Sequence, residues 1–357
     1  MRSSLKTLFK ASIALLLVAA FSTSAFAADK PKFKLAWSIY VGWMPWAYAV
    51  DHGIVKKWAD KYGITLDVVQ INDYIESINQ YTAGAFDGCV MTNMDALTIP
   101  AAGGVDSTAL IVGDFSNGND GVVLKGATDL KAIKGRKVNL VELSVSHYLL
   151  ARGLASVGLK ESDITVVNTG DADIVAAAAA PDATAIVTWN PQLAAVKALP
   201  DAHEVFDSSK IPGEIIDLMV VNSGTLADNP ALGKALTGIW YETVALMAAD
   251  TPAGKAAREA MAKASGTDLK GFESQLATTR MFYAPKDAAA FARDLALERT
   301  MDQVRQFSFS HGLLGEGARS ADAVGIGFAD GATLGDPANV KLRFTDTWMQ
   351  QAADGKL

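Results

Sequence analysis

The chain contains one cysteine, Cys89, so no intramolecular disulfide can form and the fold must rest on its apolar core. Beyond residue 27 no run of 18 apolar residues occurs, and no spanning helix is expected there. Histidine is scarce: His52, His147, His203 and His311 are the only four, and none pairs with another at i,i+4. A metal centre built on imidazoles is therefore not expected. G-x-S-x-G, H-E-x-x-H, the phosphate-binding G-x-x-x-x-G-K-[ST] and the dinucleotide fingerprint are all missing, so neither catalysis nor a cofactor is expected. Cys89 lies in an apolar stretch and reads as a buried structural thiol. Positive charge is also short, at 32 basic against 39 acidic residues. A nucleic-acid partner does not fit that balance.

What is present begins with a targeting pattern. Arg2, Lys6 and Lys10 precede an apolar run from Ala11 to Phe21, and Ala25-Phe26-Ala27 has the small-residue form of a cleavage site. Residues 1–27 are expected to be an export signal cleaved near Ala27, giving a periplasmic protein. The remaining 29 basic and 39 acidic residues leave a charge of about −10. That excess suits a neutral or cationic ligand. About 330 residues, half of them apolar, suit two lobes rather than one small core.

Strand and helix patterns alternate. Phe33 to Ser38 reads as a first strand, Pro45 to Ala59 as a helix, Ile64 to Gln70 as a strand and Tyr74 to Ala83 as a helix closing at Gly84. Asp87 to Met91 and Leu110 to Gly113 are further strands. Asp114 to Gly121, polar and glycine-containing, reads as a crossing between lobes. Strands are expected again at Arg136–Val141, Ile164–Asn168 and Ala185–Trp189, with helices at Ser146–Val157 and Asp173–Ala180. Ile215 to Asn222 returns the chain to the first lobe. Helices are expected over 230–249, 252–265, 268–277 and 285–307, then an irregular glycine-rich tail with a last helix. This rhythm predicts an α/β fold of two parallel-sheet lobes with a hinge and a helical C-terminal section. The cleft between the lobes is the natural ligand site.

Ligands in such sheets sit at the carboxyl ends of strands. The first strand ends in Trp37-Ser38-Ile39-Tyr40-Val41-Gly42-Trp43-Met44-Pro45-Trp46, where Tyr40 and Trp43 are expected to face the pocket and Trp37 and Trp46 the core. Asp73 and Glu76 follow the second strand, where acidic residues also serve a helix dipole. Asn93 and Asp95 follow the third. Glu142, Ser144 and Ser146 follow the first strand of the second lobe, where serines and free N–H groups can take an anion. Trp189 ends another strand, and Asp217 interrupts the apolar run 215–221 as either a solvent-facing residue or a cleft carboxylate.

The segments Trp37–Trp43, Ala83–Gly88, Lys134–Val138, Ser144–Leu150 and Ala185–Pro191 (AIVTWNP) together resemble the nitrate/sulfonate/taurine-type substrate-binding proteins of ABC importers. The resemblance covers residues 32–221 and implies a type II periplasmic-binding-protein fold, with lobe 1 at 28–115 and 222–357 and lobe 2 at 116–221. It further implies a monomeric, non-enzymatic receptor that closes on a small molecule and delivers it to a membrane permease. Tyr-Val-Gly-Trp-Met-Pro-Trp, Thr-Asn-Met-Asp-Ala-Leu and Val-Glu-Leu-Ser-Val-Ser-His-Tyr-Leu-Leu are similar to the branch encoded beside urea carboxylase, an enzyme whose relatives act on guanidine. Guanidinium or urea is the cargo this implies. The candidate acids carry no arginine or lysine among them, which suits a planar cation with N–H groups around its edge. Trp43 or Trp189 would stack on it, with Glu142 and Asp217 accepting its hydrogen bonds; Ser38 completes the candidate set. The alternative is an oxoanion receptor for a sulfonate or nitrate, using Ser144, Ser146 and helix N-termini. An enzyme of the pyrimidine-precursor synthase type would need a nucleophile or cofactor lysine with histidine support, and no such cluster is visible.

Overall fold

The computed structural model describes residues Lys30–Leu357, so the expected export signal falls outside the described residues. The chain alternates strand and helix at first: β1 (Lys32–Trp37), α1 (Met44–Asp51), α2 (Ile54–Lys61), β2 (Thr65–Gln70), α3 (Tyr74–Thr82), β3 (Gly88–Thr92), the one-turn α4 (Asn93–Ala96) and β4 (Ser107–Ser116). The single helix expected over 45–59 is two, because Gly53 adopts φ 72°, which only glycine takes cheaply, and the axis turns there. Helix α3 starts where the sequence signals it. The Asp73 carboxylate accepts the Glu76 N–H at 2.8 Å, and Gly84 at φ 79° ends the helix.

A second sheet follows, from β5 (Asp120–Lys125), β6 (Lys137–Leu140), α5 (Val145–Ser156), β7 (Thr165–Asn168), α6 (Ile174–Ala179), β8 (Ala185–Trp189), α7 (Gln192–Lys197) and β9 (Ala202–Asp207). The chain then returns through β10 (Ile216–Asn222) and α8 (Ser223–Asp228) to α9 (Pro230–Ala248), α10 (Pro252–Ala264), α11 (Leu269–Leu276), β11 (Thr279–Met281), α12 (Pro285–Ala292) and α13 (Leu295–Ser310). It ends with β12 (Gly325–Gly327), β13 (Thr333–Leu334), β14 (Val340–Phe344) and α14 (Thr347–Ala353). The helix expected over 285–307 is therefore divided, with Asp294 capping α13. The tail is not irregular: β12, β13 and β14 extend the larger sheet.

The larger sheet runs β13-β12-β14-β4-β10-β3-β1-β2 with β11 also on β4; the smaller runs β7-β6-β8-β5-β9. Strands β1, β2 and β3 pair in parallel, whereas β10 lies antiparallel between β3 and β4. Strand β10 belongs to the larger sheet, so the return crossing falls between β9 and β10 rather than at residue 221. The outward crossing is also shorter than expected. Strand β4 runs on to Ser116 and β5 begins at Asp120, which leaves 117–119 between them. Strands β3, β4 and β10 are buried on both faces, as covered central strands should be. Both sheets belong to one packed unit, Pro31–Leu357. Among the described residues no helix is long and apolar enough to cross a membrane.

Candidate functional site

The ends of β1, β3, β4 and β10 converge on the smaller sheet's β5 and β8, and a small cavity of about 20 Å³ lies between them. Tyr40, Trp43, Tyr74, Thr92, Asp120, Val145, Trp189, Ile215 and Asp217 line it. Four aromatics form a continuous band. The Tyr40 and Trp43 ring centroids are 5.0 Å apart, Trp43 and Tyr74 5.8 Å, and Tyr74 and Trp189 5.6 Å, the last from the smaller lobe. Gly42 lets the Tyr40–Trp43 turn lie against the floor: a Cβ there would meet Tyr40 Cε1 at 2.4 Å and Asp114 Oδ2 at 2.7 Å.

The floor is acidic. In the β10 ladders Asp217 stands opposite Asp114 on β4 and opposite Thr92 on β3. Tyr40 donates its hydroxyl to Asp114 Oδ1 at 2.9 Å, while Asp114 Oδ2 is buried with no hydrogen-bond partner. Across the cleft, Asp120 accepts from Ser116 Oγ at 2.5 Å. Burial pushes the Asp114 and Asp120 carboxyls up to about 7, and it pushes Asp217 well above the usual carboxylate range, reinforced by Asp114. Among the described residues, no lysine, arginine or histidine lines the cavity.

Asp95 lies behind this floor, fully buried. It accepts the Tyr74 hydroxyl at 2.7 Å and Thr92 Oγ1 at 2.8 Å, both on Oδ2, while Oδ1 is buried with no hydrogen-bond partner. Burial raises its carboxyl to about 6 against the two hydroxyl donors. Asp171 of the smaller lobe accepts the Tyr74 N–H, the first of α3, at 3.3 Å. The N-terminus of α3 is thereby answered by a carboxylate of the opposite lobe.

Of the residues singled out from sequence, Tyr40, Trp43, Trp189 and Asp217 meet in the cavity, and Trp37 and Trp46 do not line it. Asp73, Glu76 and Glu142 come together elsewhere, in a groove at the rim with Asp171 and Asn168. Glu142 is exposed and lines this groove rather than the cavity, so it does not stand beside Asp217. Ser144 caps α5 and donates to Val141 O at 2.7 Å. Asn93 spends its side chain on Glu214 O and the Ile216 N–H, fixing the entry of β10. Ser38 is buried and does not line the cavity. Asp114 and Asp120 were missed because 114–121 reads as a polar crossing. Their signal was the apolar run before Asp114 and after Asp120, which makes them strand ends.

A second cluster joins His147, Glu161 and His311. Glu161 accepts from His147 Nε2 at 3.2 Å and from His311 Nε2 at 2.7 Å, and both histidines hold its carboxyl below the usual range. His147 Nδ1 accepts the N–H of Leu143, itself at φ 63°. That contact leaves the ring proton on Nε2, the atom a metal would need bare, so the trio is a hydrogen-bonded bridge and not a good metal centre.

The two-sheet architecture with a cleft between lobes is that of the periplasmic binding proteins. Similar solved structures include the alkanesulfonate-binding protein SsuA from Xanthomonas axonopodis pv. citri bound to MOPS, at TM-score 0.68 and 16% identity over 83% of this chain and 99% of that one. The aliphatic sulphonate binding protein SsuA from Escherichia coli gives 0.61 and 18% over 79% and 88%, and the nitrate-binding protein NrtA from Synechocystis PCC 6803 gives 0.56 and 13% over 92% and 99%. Residues 56–252, more than half of the chain, match the NMT1/THI5-like family, and the chain belongs to that family. No curated protein sequence matches it.

Proposed function

We propose that this protein is the periplasmic receptor of an ABC importer and that its cargo is guanidinium or the isosteric urea, held between the lobes. Family membership and the likeness to transporter binding proteins support the receptor class, and the lack of a nucleophile–base pair at the cavity supports a non-enzymatic role. One observation carries the choice of cargo: Asp217 and Asp120 line, and Asp114 backs, a cavity banded by four aromatics and free of basic side chains. Buried carboxylates without cationic partners await a cation. A guanidinium ion offers N–H donors in its plane and a face for Trp43 or Trp189. The cavity is compact, which favours a ligand of a few heavy atoms.

In this reading lobe one comprises 31–115 and 216–357, lobe two 120–210, and the two crossings form the hinge. The exported chain would act as a monomer beside its permease.

The second reading, an oxoanion, is favoured by what the similar sulfonate and nitrate proteins bind. Against it, the charged groups that line the cavity are the carboxylates Asp120 and Asp217, which repel an anion. A thermal-shift screen of protein stripped of ligand by partial unfolding separates the two. At a hundredfold excess over Kd a ligand adds about 2.7 kcal/mol. Guanidinium at sub-denaturing concentration, or urea, should raise the midpoint, and taurine, an alkanesulfonate and nitrate should not. The reverse pattern would sink the cation reading.

A further inference from the structure

Asp114 and Asp217 stand side by side on neighbouring strands, both buried, and Asp114 Oδ2 has no donor. The groups that face the pair are Tyr40 from the loop after β1, Thr92 from β3, Asp120 from β5 and Tyr283 beyond β11, with Asp95 behind Thr92. None of these is cationic, and no basic side chain lines the cavity. Two adjacent carboxylates in such a place cannot both ionise unless a positive charge arrives from outside.

We propose that the receptor exchanges a proton for its cation: without cargo, Asp114 and Asp217 share one proton, and the arriving cation displaces it to solvent. The inference rests on the cation reading above. The O–H bond breaks with its electron pair left on the carboxylate, the proton passes to buffer, and the site gains one negative charge as it gains one positive. Burial holds the carboxyls of the pair high enough for that proton to be present near neutral pH. Cargo affinity is then linked to pH. It weakens as the surroundings acidify, by up to about tenfold per unit for one displaced proton. A neutral ligand such as urea would leave the proton in place, so proton release also separates the two cargoes.

The test is calorimetric titration of guanidinium chloride into the full mature protein in phosphate and in Tris, whose ionisation enthalpies differ, from pH 5.5 to 8. The expected result is net proton release, with affinity rising with pH and levelling off at the alkaline end. The Asp114→Asn variant should release about one proton fewer. Should that variant fail to bind, difference infrared spectroscopy of the unmutated protein gives the same answer: the carbonyl band of a protonated carboxylic acid should vanish on adding guanidinium. Binding of guanidinium with no proton release and a flat pH profile, or a persisting acid band, overturns the exchange and leaves the cation reading intact. Absence of guanidinium binding at every pH overturns both.

Discussion

Replacing Asp120 by asparagine should stabilise the protein in the absence of ligand while removing its ability to bind. The Asp120 carboxyl is raised by burial from 3.8 to about 7. A carboxyl whose folded value lies above its unfolded one gives the native state its full stability below about 3.8 and withdraws it as pH rises through about 7. Three units at 1.36 kcal/mol each set an upper bound of about 4 kcal/mol on the strain at pH 8. Asparagine keeps the shape, and its amide oxygen can still accept from Ser116 Oγ, now 2.5 Å from the carboxylate. The variant is expected to gain about 2–4 kcal/mol at pH 8, or roughly 4–10 °C in Tm for a chain of this size. At pH 5 the wild-type carboxyl is already protonated and most of the gain should vanish. Added guanidinium should raise the wild-type midpoint and leave the variant unmoved, a trade of stability against function. Thermal melts at both pH values, with and without guanidinium, check this. A variant less stable than wild type at pH 8, or equally stabilised at both pH values, would refute the reasoning.

Trp43→Ala removes the ring between Tyr40 and Tyr74 and should weaken guanidinium binding by up to about 30-fold, given up to about 2 kcal/mol for a desolvated cation–π contact; calorimetry reads it, and unchanged affinity would assign the stacking to Trp189. Gly42→Ala drives a methyl against Tyr40 and Asp114 Oδ2 and should cost about 1–3 kcal/mol by denaturant melts. Glu161→Gln should lower Tm at pH 7. Because the Glu161 carboxyl is held below 4.5 by His147 and His311, its contribution is present above pH 4.5 and should fade as pH falls further, closing the gap between variant and wild type. Cys89 is fully buried and its thiol is pushed up to about 12, so a thiol reagent should label it only after unfolding.

The aromatic turn after β1 was legible because its position at a strand end and its composition both pointed to a pocket. Asp217 was legible as an ambiguity, since alternation alone leaves open which face it takes. Ladder pairing with Asp114 and Thr92 resolved it. Glu142 looked equivalent from sequence, but the turn around Leu143 carries it to the rim. Strands β12, β13 and β14 were invisible because strands of two to five residues carry almost no periodic signal.

The sequence alone determined the alternating α/β order, the two crossings, the reliance on an apolar core and the excess of acid over base. These depend on periodicity, glycine and proline positions and composition, all local or additive properties. Tertiary structure alone decided that Asp120 and Asp217 line one buried cavity with Asp114 behind them and that Asp171 meets the α3 N-terminus from the opposite lobe. It also decided that His147 and His311 share a carboxylate. Each of these depends on residues more than a hundred positions apart, or on opposite lobes, being brought within a few ångströms by sheet register, which no local pattern encodes.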